Sequence, residues 1–314
     1  MRGLMPWALA LLAVAIAGGS YWWLVEDAGV PSDAHFVLDM AQVRRLAEST
    51  PGDKPTQIRY EHVATFRFFT GMVVTGDGWS AAALPVNSYQ VVFPDHTAII
   101  DAALARDQAP PPFITTGFDN AAYQRVERGL DQASLIVVTH EHVDHIGGIA
   151  ASPHLAALLP ALRLTDAQIA HPERMKPALL APANMKTYTP LHYDRYAAVA
   201  PGMVLIAAPG HSPGEQMVYV KLGDGRQLLL VGDVVWRQRN LDVQRERPRW
   251  VTALLIREDR KQVFGEIEAL HQLMLSDPAV QIVPGHDGEA IARLVAAGLL
   301  EKGFLLKSKP AAAT

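Results

Sequence analysis

Four apolar residues, Leu135-Ile136-Val137-Val138, run almost directly into His140, His142, Asp144 and His145. A short β-branched run of this kind suits a fully buried strand. The His-x-His-x-Asp-His spacing then crowds metal-capable side chains into the loop that leaves it, and Gly147-Gly148 opens a mostly apolar stretch that suits a helix. Imidazoles and carboxylates are costly to bury without partners, so core packing does not account for the cluster. The competing reading is a His-rich solvated loop. Strand ends are where α/β folds place chemistry, because the strand fixes the backbone and the loop aims the side chains.

The same grammar recurs downstream. Val204 to Gly210 ends in His211, Leu228 to Gly232 ends in Asp233, and Val280 to Gly285 ends in His286. Each is a hydrophobic run, a turn of small residues or Gly/Pro, then a histidine or aspartate at the tip. The chain has no cysteine, which excludes disulfides, thiolate ligands and a cysteine nucleophile. A donor set of nitrogen and oxygen alone favours zinc, with iron or manganese also compatible.

The ordered series THxHxDH, PGHS, GD and PGH resembles the metallo-β-lactamase-fold superfamily over roughly residues 56–300. In motif it is most similar to the acyl-homoserine-lactone lactonase-like branch. The resemblance implies an α/β fold, an αββα sandwich. It implies two zinc ions, the first on His140, His142 and His211, the second on Asp144, His145 and His286, with Asp233 between them. A hydroxide bridging the metals would attack the substrate, Asp144 or Asp233 would move a proton to the leaving oxygen, and Asp101 would support the metal loop from behind. A plain strand-end turn is the other reading of Asp101.

The implied substrate is a small molecule, a lactone or other carboxylic ester. The alternatives are a phosphodiester or phospholipid, then a glyoxalase II-like thioester or a β-lactam. The Gly210–Gln216 run and the retained Asp233 point to the lactonases, whereas one group of β-lactamases places a cysteine where Asp233 stands. Those lactonases commonly carry a tyrosine three residues after that aspartate. Here Trp236 stands there, and its indole N–H makes it a candidate substrate contact. The short tail after Leu300 does not resemble a glutathione-binding extension, and His142 stands where redox members carry glutamate.

The remaining segments organise around this core. Gly3 to Val25 carries no charged side chain, long enough to cross a bilayer, with Arg2 before it and Tyr21-Trp22-Trp23 at its far end. It reads as a membrane anchor or as a signal peptide with Ala15-Ile16-Ala17 before the cleavage site. Either way residues 26 onward are exported, to the periplasmic side in a bacterium. Residues 1–25 thus form the anchor or signal, 26–55 a linker or arm with a helix over Asp39–Glu48, 56–300 the catalytic domain and 301–314 a tail. Strands are expected over Gln57–Thr75, a hairpin turning at Pro94-Asp95 with His96 solvated, and helices over Asp119–Gly129, Asp259–Ser276 and Gly288–Leu300. Tyr188 and His192, in a Pro-rich connection with Tyr193 and Tyr196, read either as a roof with substrate contacts or as ordinary packing. Arg237, Arg239, Arg245, Arg247 and Arg249 read as a solvated face or as a cationic rim. A net charge of −4 gives no basic footprint, so no nucleic-acid partner is expected.

Overall fold

Apolar runs with no polar alternation demand burial on both faces, and the architecture supplies it. The computed structural model describes residues 4–307. β1 (Gln57–Phe69), β2 (Ala81–Val92), β3 (Thr97–Ile100), β4 (Thr115–Phe118) and β5 (Leu135–Val137) belong to one sheet. β6 (Tyr196–Ala200), β7 (Met203–Ala207), β8 (Gln216–Lys221), β9 (Gln227–Leu230) and β10 (Val280–Val283) form a second. β11 (Glu301–Lys302) returns to the first, whose order is β11-β1-β2-β3-β5 with β4 also on β1; the second runs β10-β9-β8-β7-β6.

Along β7 the faces alternate. Met203 and Leu205 join Tyr89, Val91, Ile100 and Val137 between the sheets, while Val204 and Ile206 face outward under Val43, Ile267 and Leu270. The outer face of the first sheet is covered by Val126 and Leu130 of helix Asn120–Gln132 and by Ile146 and Ile149 of helix Val143–Ala151. The layers are therefore helix, sheet, sheet, helix. Each fully buried aliphatic side chain contributes about 1.5–3 kcal/mol to this arrangement.

Aspartates begin the helices. Asp119, Asp259 and Asp287 each accept hydrogen bonds from backbone N–H groups of the first turn of helices Asn120–Gln132, Arg260–Ser276 and Gly288–Ala296. The last of these stops short of Leu300, at Gly298, whose φ of +69° suits a left-handed helix end.

Three expectations shift. Val73 and Val74 lie beyond the end of β1, Val73 in the short turn Thr70–Val73, yet both are buried, so their composition reflects burial rather than strand pairing. The arm contributes to the outer layer, since Asp39 caps helix Met40–Ala47 and Met40, Val43 and Ala47 are buried against the second sheet. The tail begins too early at 301, because β11 pairs with β1 and Phe304 is buried in the first-sheet core. The Glu61 carboxylate holds this edge, accepting from Phe304 N at 2.9 Å and from the Arg125 guanidinium at 2.6 and 2.8 Å. Residues 308–314 lie outside the described residues.

Strand direction positions the site. β3 and β5 are parallel. β8 is antiparallel to both β7 and β9, and β10 is parallel to β9, so β7, β9 and β10 all run one way. The segments leaving their C-terminal ends emerge at one edge, where open α/β sheets bind ligands.

Candidate metal centre

β5 ends three residues before His140, and His142 begins helix Val143–Ala151 with its carbonyl accepting from His145 N at 3.0 Å. Asp144 lies in the first turn of that helix, where the backbone dipole favours a carboxylate. His211, Asp233 and His286 follow β7, β9 and β10. Gly232, with φ of +54°, turns the chain so that Asp233 points inward.

The seven side chains converge. His140, His142 and His211 form one group, Asp144, His145 and His286 another, and Asp233 stands with His140 and His145, the offered atoms of each group within 4.8 Å of one another. Asp233 Oδ1 lies 3.5 Å from His145 Nε2 and 3.1 Å from His286 Nε2, while Oδ2 lies 3.5 Å from His211 Nε2. His142 turns Nδ1 inward, 3.0 Å from His211 Nε2. His140 Nε2, His145 Nε2 and Asp233 Oδ1 are buried without a hydrogen-bond partner. Inward-facing nitrogen and oxygen atoms left unpaired in this way are costly unless a cation takes them, so the residues present fit a metal.

The outward ring nitrogens are held, which sets the tautomers a metal site needs. His145 Nδ1 is 2.9 Å from Asp101 Oδ2, His211 Nδ1 is 2.5 Å from Glu258 Oε1, His140 Nδ1 is 3.0 Å from Glu215 Oε2, and His286 Nδ1 donates to Pro85 O at 2.9 Å. Asp101 adopts φ of +59°, uncommon for a residue with a side chain, and also accepts from Thr139 N at 2.6 Å. Glu215, Glu258 and Pro85 were not singled out by sequence reasoning. Glu215 falls inside the Gly210–Gln216 run, but nothing local marks Glu258 or the Pro85 carbonyl.

Charge differs across the centre. Burial, reinforced by neighbouring imidazoles, holds His140 and His142 well below the ordinary histidine value. Burial also pulls down His145 and His286, but Asp101, Asp144 and Asp233 outweigh it at His145, and Asp233 leads the same reversal at His286, so both are raised. Burial pushes Asp233 upward, yet His286 and His145 hold its carboxyl well below the usual range. Glu215 is raised by burial and by Asp233.

The arginine run is not one uniform face: Arg239 is exposed, Arg237, Arg245 and Arg249 are half-buried, and Arg247 is interior. Arg247 is fully buried, its guanidinium 2.5 Å from Glu258 Oε1 and 5.0 Å from the Trp236 ring. Burial raises Glu258, but Arg247 and His211 hold it below its ordinary value. Arg239 pairs with Asp77 and Arg249 with Asp27, so internal acids claim these cations. Trp236 also departs from expectation, because its indole N–H donates to Asp233 Oδ2 at 2.6 Å and is directed at the carboxylate rather than at a substrate. Tyr188 does not reach the centre; its hydroxyl accepts from Leu164 N at 2.7 Å and donates to Leu162 O at 3.1 Å. His192 is a surface residue paired with Asp166 at 2.7 Å. His96 is half-buried at its turn, stacked on Phe93.

Of the seven, His142 and Asp144 retain exposure. They open onto a cavity of about 490 Å³ whose other wall is built from Arg174, Lys176 and the turn Leu254–Arg257.

Residues 81–286 match the family described as the metallo-beta-lactamase superfamily. The N-acyl homoserine lactonase AiiA of Bacillus thuringiensis subsp. kurstaki is 29% identical over 119 residues, which is 38% of this chain and 45% of that protein. The match thus spans less than half the length of this curated relative. A solved quorum-quenching N-acyl homoserine lactone hydrolase shares the fold with a TM-score of 0.58 at 18% identity, covering 75% of this chain and 94% of that one. AidC, a dizinc quorum-quenching lactonase, does so with a TM-score of 0.50 at 14% identity, covering 76% and 90%.

Proposed function

This chain belongs to the metallo-beta-lactamase superfamily, and from that premise we propose that it is a hydrolase using two divalent metal ions, zinc by donor chemistry, on a lactone or other carboxylic ester. The observation that carries the reading is the convergence of seven metal-capable side chains with buried inward atoms that have no protein partner. The relatives named as N-acyl homoserine lactonases support the ester class.

His140, His142 and His211 would hold one metal and Asp144, His145 and His286 the other, with Asp233 shared. Metals bound there supply Lewis acidity and a water acidic enough to serve as nucleophile near neutral pH. Around them the chain's own groups orient and exclude. Asp101, Glu215, Glu258 and the Pro85 carbonyl fix the outward ring nitrogens, leaving the inward atoms free for ligation. The Trp236 N–H aims Asp233 Oδ2, and its ring, packed by Phe68 and Arg247, keeps water from that side. Asp144 faces the cavity, so its carboxylate is the group placed to hand a proton to the departing oxygen. Lys176 and Arg257 on the cavity wall keep a phosphodiester as the second reading.

We extend the proposal to location: the apolar helix Leu4–Tyr21 anchors the chain rather than being cleaved as a signal, and residues 26 onward lie on the exported side, the periplasmic side in a bacterium. The test of function is hydrolysis by the full chain in detergent, zinc-loaded or chelator-treated, beside Asp144→Ala. Zinc-dependent opening of acyl-homoserine lactones, lost in the variant, is the expected result. Turnover of a phosphodiester alone would replace the ester reading, and a thioester or cephalosporin would do so in the same way. Two bound metals with no turnover of any of these would overturn the hydrolase reading.

A further inference from the structure

We propose that the turn Val251–Ile256 rests on a lipid bilayer surface, so that the cavity beside His142 and Asp144 opens at the lipid–water interface and receives an acyl-chain substrate from it. The inference rests on the proposed function for its chemistry and on the proposed membrane anchor for its placement, to which contacts within the structure tie the turn.

The turn is a single wide helical turn closed by Arg257 at φ of +63°. Leu254 and Leu255 project from it, 72% and 58% exposed, while lining the cavity. They are held outward rather than loosely displayed. The Arg174 guanidinium donates to Ile256 O at 2.8 Å and to Arg257 O at 2.9 Å, which fixes the end of the turn to the neighbouring segment of the same cavity wall. Adjacent leucines kept in water cost free energy in proportion to their apolar area, which points to a covering surface.

The contacts that flank the turn say what covers it. Arg249, just before it, stacks over Trp23 at 5.2 Å and donates to Asp27 Oδ2 at 2.5 Å. Arg260, just after it, donates to Gly29 O at 2.5 Å. Both therefore grip the segment that leaves the apolar span Trp7–Glu26, a span with mean hydropathy 1.8 and none of it buried. The cavity lip is thus attached at both ends to the point where the chain would emerge from a bilayer. A second attachment lies nearby. Trp79 Nε1 reaches the Tyr21 hydroxyl at 3.3 Å and packs edge-on against Phe69, both rings about half exposed. Tyr21, Trp22, Trp23 and Trp79 make an aromatic belt of the kind that settles at headgroup depth. Lys176 and Arg257 stand exposed at the lip against Glu173, a balance that suits anionic headgroups. A substrate chain lying along Leu254 and Leu255 would bring its ester to His142 and Asp144 without crossing bulk water.

The absence of cysteine makes the test direct. Leu254→Cys is labelled with an environment-sensitive fluorophore in the full chain, reconstituted into vesicles of equimolar phosphatidylglycerol and phosphatidylcholine. Asp224→Cys, exposed on the β8–β9 turn at the opposite sheet edge, serves as control. The expected result is blue-shifted emission at position 254, quenched by nitroxide-bearing lipid and shielded from iodide, with the reverse at 224. Iodide quenching at 254 without lipid quenching, in vesicles that carry the protein, overturns the proposal. So does shielding that disappears on dilution, which would identify a second copy as the cover, and so does failure of the chain to float with vesicles. The readout is position rather than turnover, so a lipid-buried label at 254 would keep the membrane placement even if the hydrolase reading failed in its own test, and only the acyl-chain substrate would then be withdrawn.

Discussion

The two sides of the metal centre are braced by different physics. On the side of His145 and His286 the brace is one carboxylate and one backbone carbonyl. Asp101, one strand over and held in a left-handed conformation, accepts from Thr139 and His145, and a neutral carbonyl from Pro85 serves His286. On the side of His140 and His211 the brace is a buried ion pair, Glu258 with Arg247, on which His211 also rests, while Glu215 faces His140. Behind it Glu266 accepts from Gly210 N at 3.1 Å, its carboxyl pushed up to about 8 by burial. A short strained loop needs few partners. A buried ion pair needs both of its partners, because an ion stripped of its counter-charge inside a protein is destabilising.

The sharpest way to break this comparison is to delete the central acid on each side. Glu258→Gln leaves the buried Arg247 guanidinium without its counter-ion, so unfolding free energy should fall by about 3–5 kcal/mol and zinc affinity by about 10–100-fold. Asp101→Asn should lose a similar factor in zinc affinity with a clearly smaller loss of stability. Adding Arg247→Met to Glu258→Gln should restore most of the stability and none of the metal affinity. Denaturant unfolding of the zinc-free proteins and metal titration read the two quantities separately, and equal stability losses for the two single variants would erase the distinction.

A smaller effect is expected where the sides meet. Trp236→Phe keeps a ring against Phe68 and Arg247 but removes the N–H donor to Asp233. Hydrogen bonds to charged groups contribute about 1.5–3 kcal/mol, so ester turnover should fall on the order of tenfold with bound metal unchanged. If KM alone rises, Trp236 contacts substrate instead. The smallest effect belongs outside the centre. Tyr188→Phe should cost about 1 kcal/mol of stability through the contacts with Leu164 and Leu162 and leave KM unaltered; a raised KM would return Tyr188 to the substrate site.

Read in order, the chain announces its ligand candidates because their signal is local. An apolar run fit for a doubly buried strand, a small-residue turn and a histidine or aspartate at the tip all lie within a few residues, as at Val280 to His286. Alternate burial of Met203, Val204, Leu205 and Ile206 on two faces explains why such runs lack polar alternation. The starts of helices Asn120–Gln132 and Arg260–Ser276 were legible for the same reason, whereas Asp101, 44 residues from His145, was reached only through the family resemblance. Arg247 was not. An arginine within a run of arginines reads as solvated until a partner from another loop buries it, and Glu258 carries no mark of that role in its own surroundings. The same holds for Trp236, whose donor is committed to Asp233 only once the loop after β9 folds over it, and for residues 301–307, whose place in the first sheet depends on Glu61 and Gln90 far earlier in the chain. Residue type and short spacing therefore determined what could bind a metal. Which groups hold those ligands in place was decided by tertiary structure alone, because long-range pairing of buried charges and backbone carbonyls leaves no periodicity in the sequence.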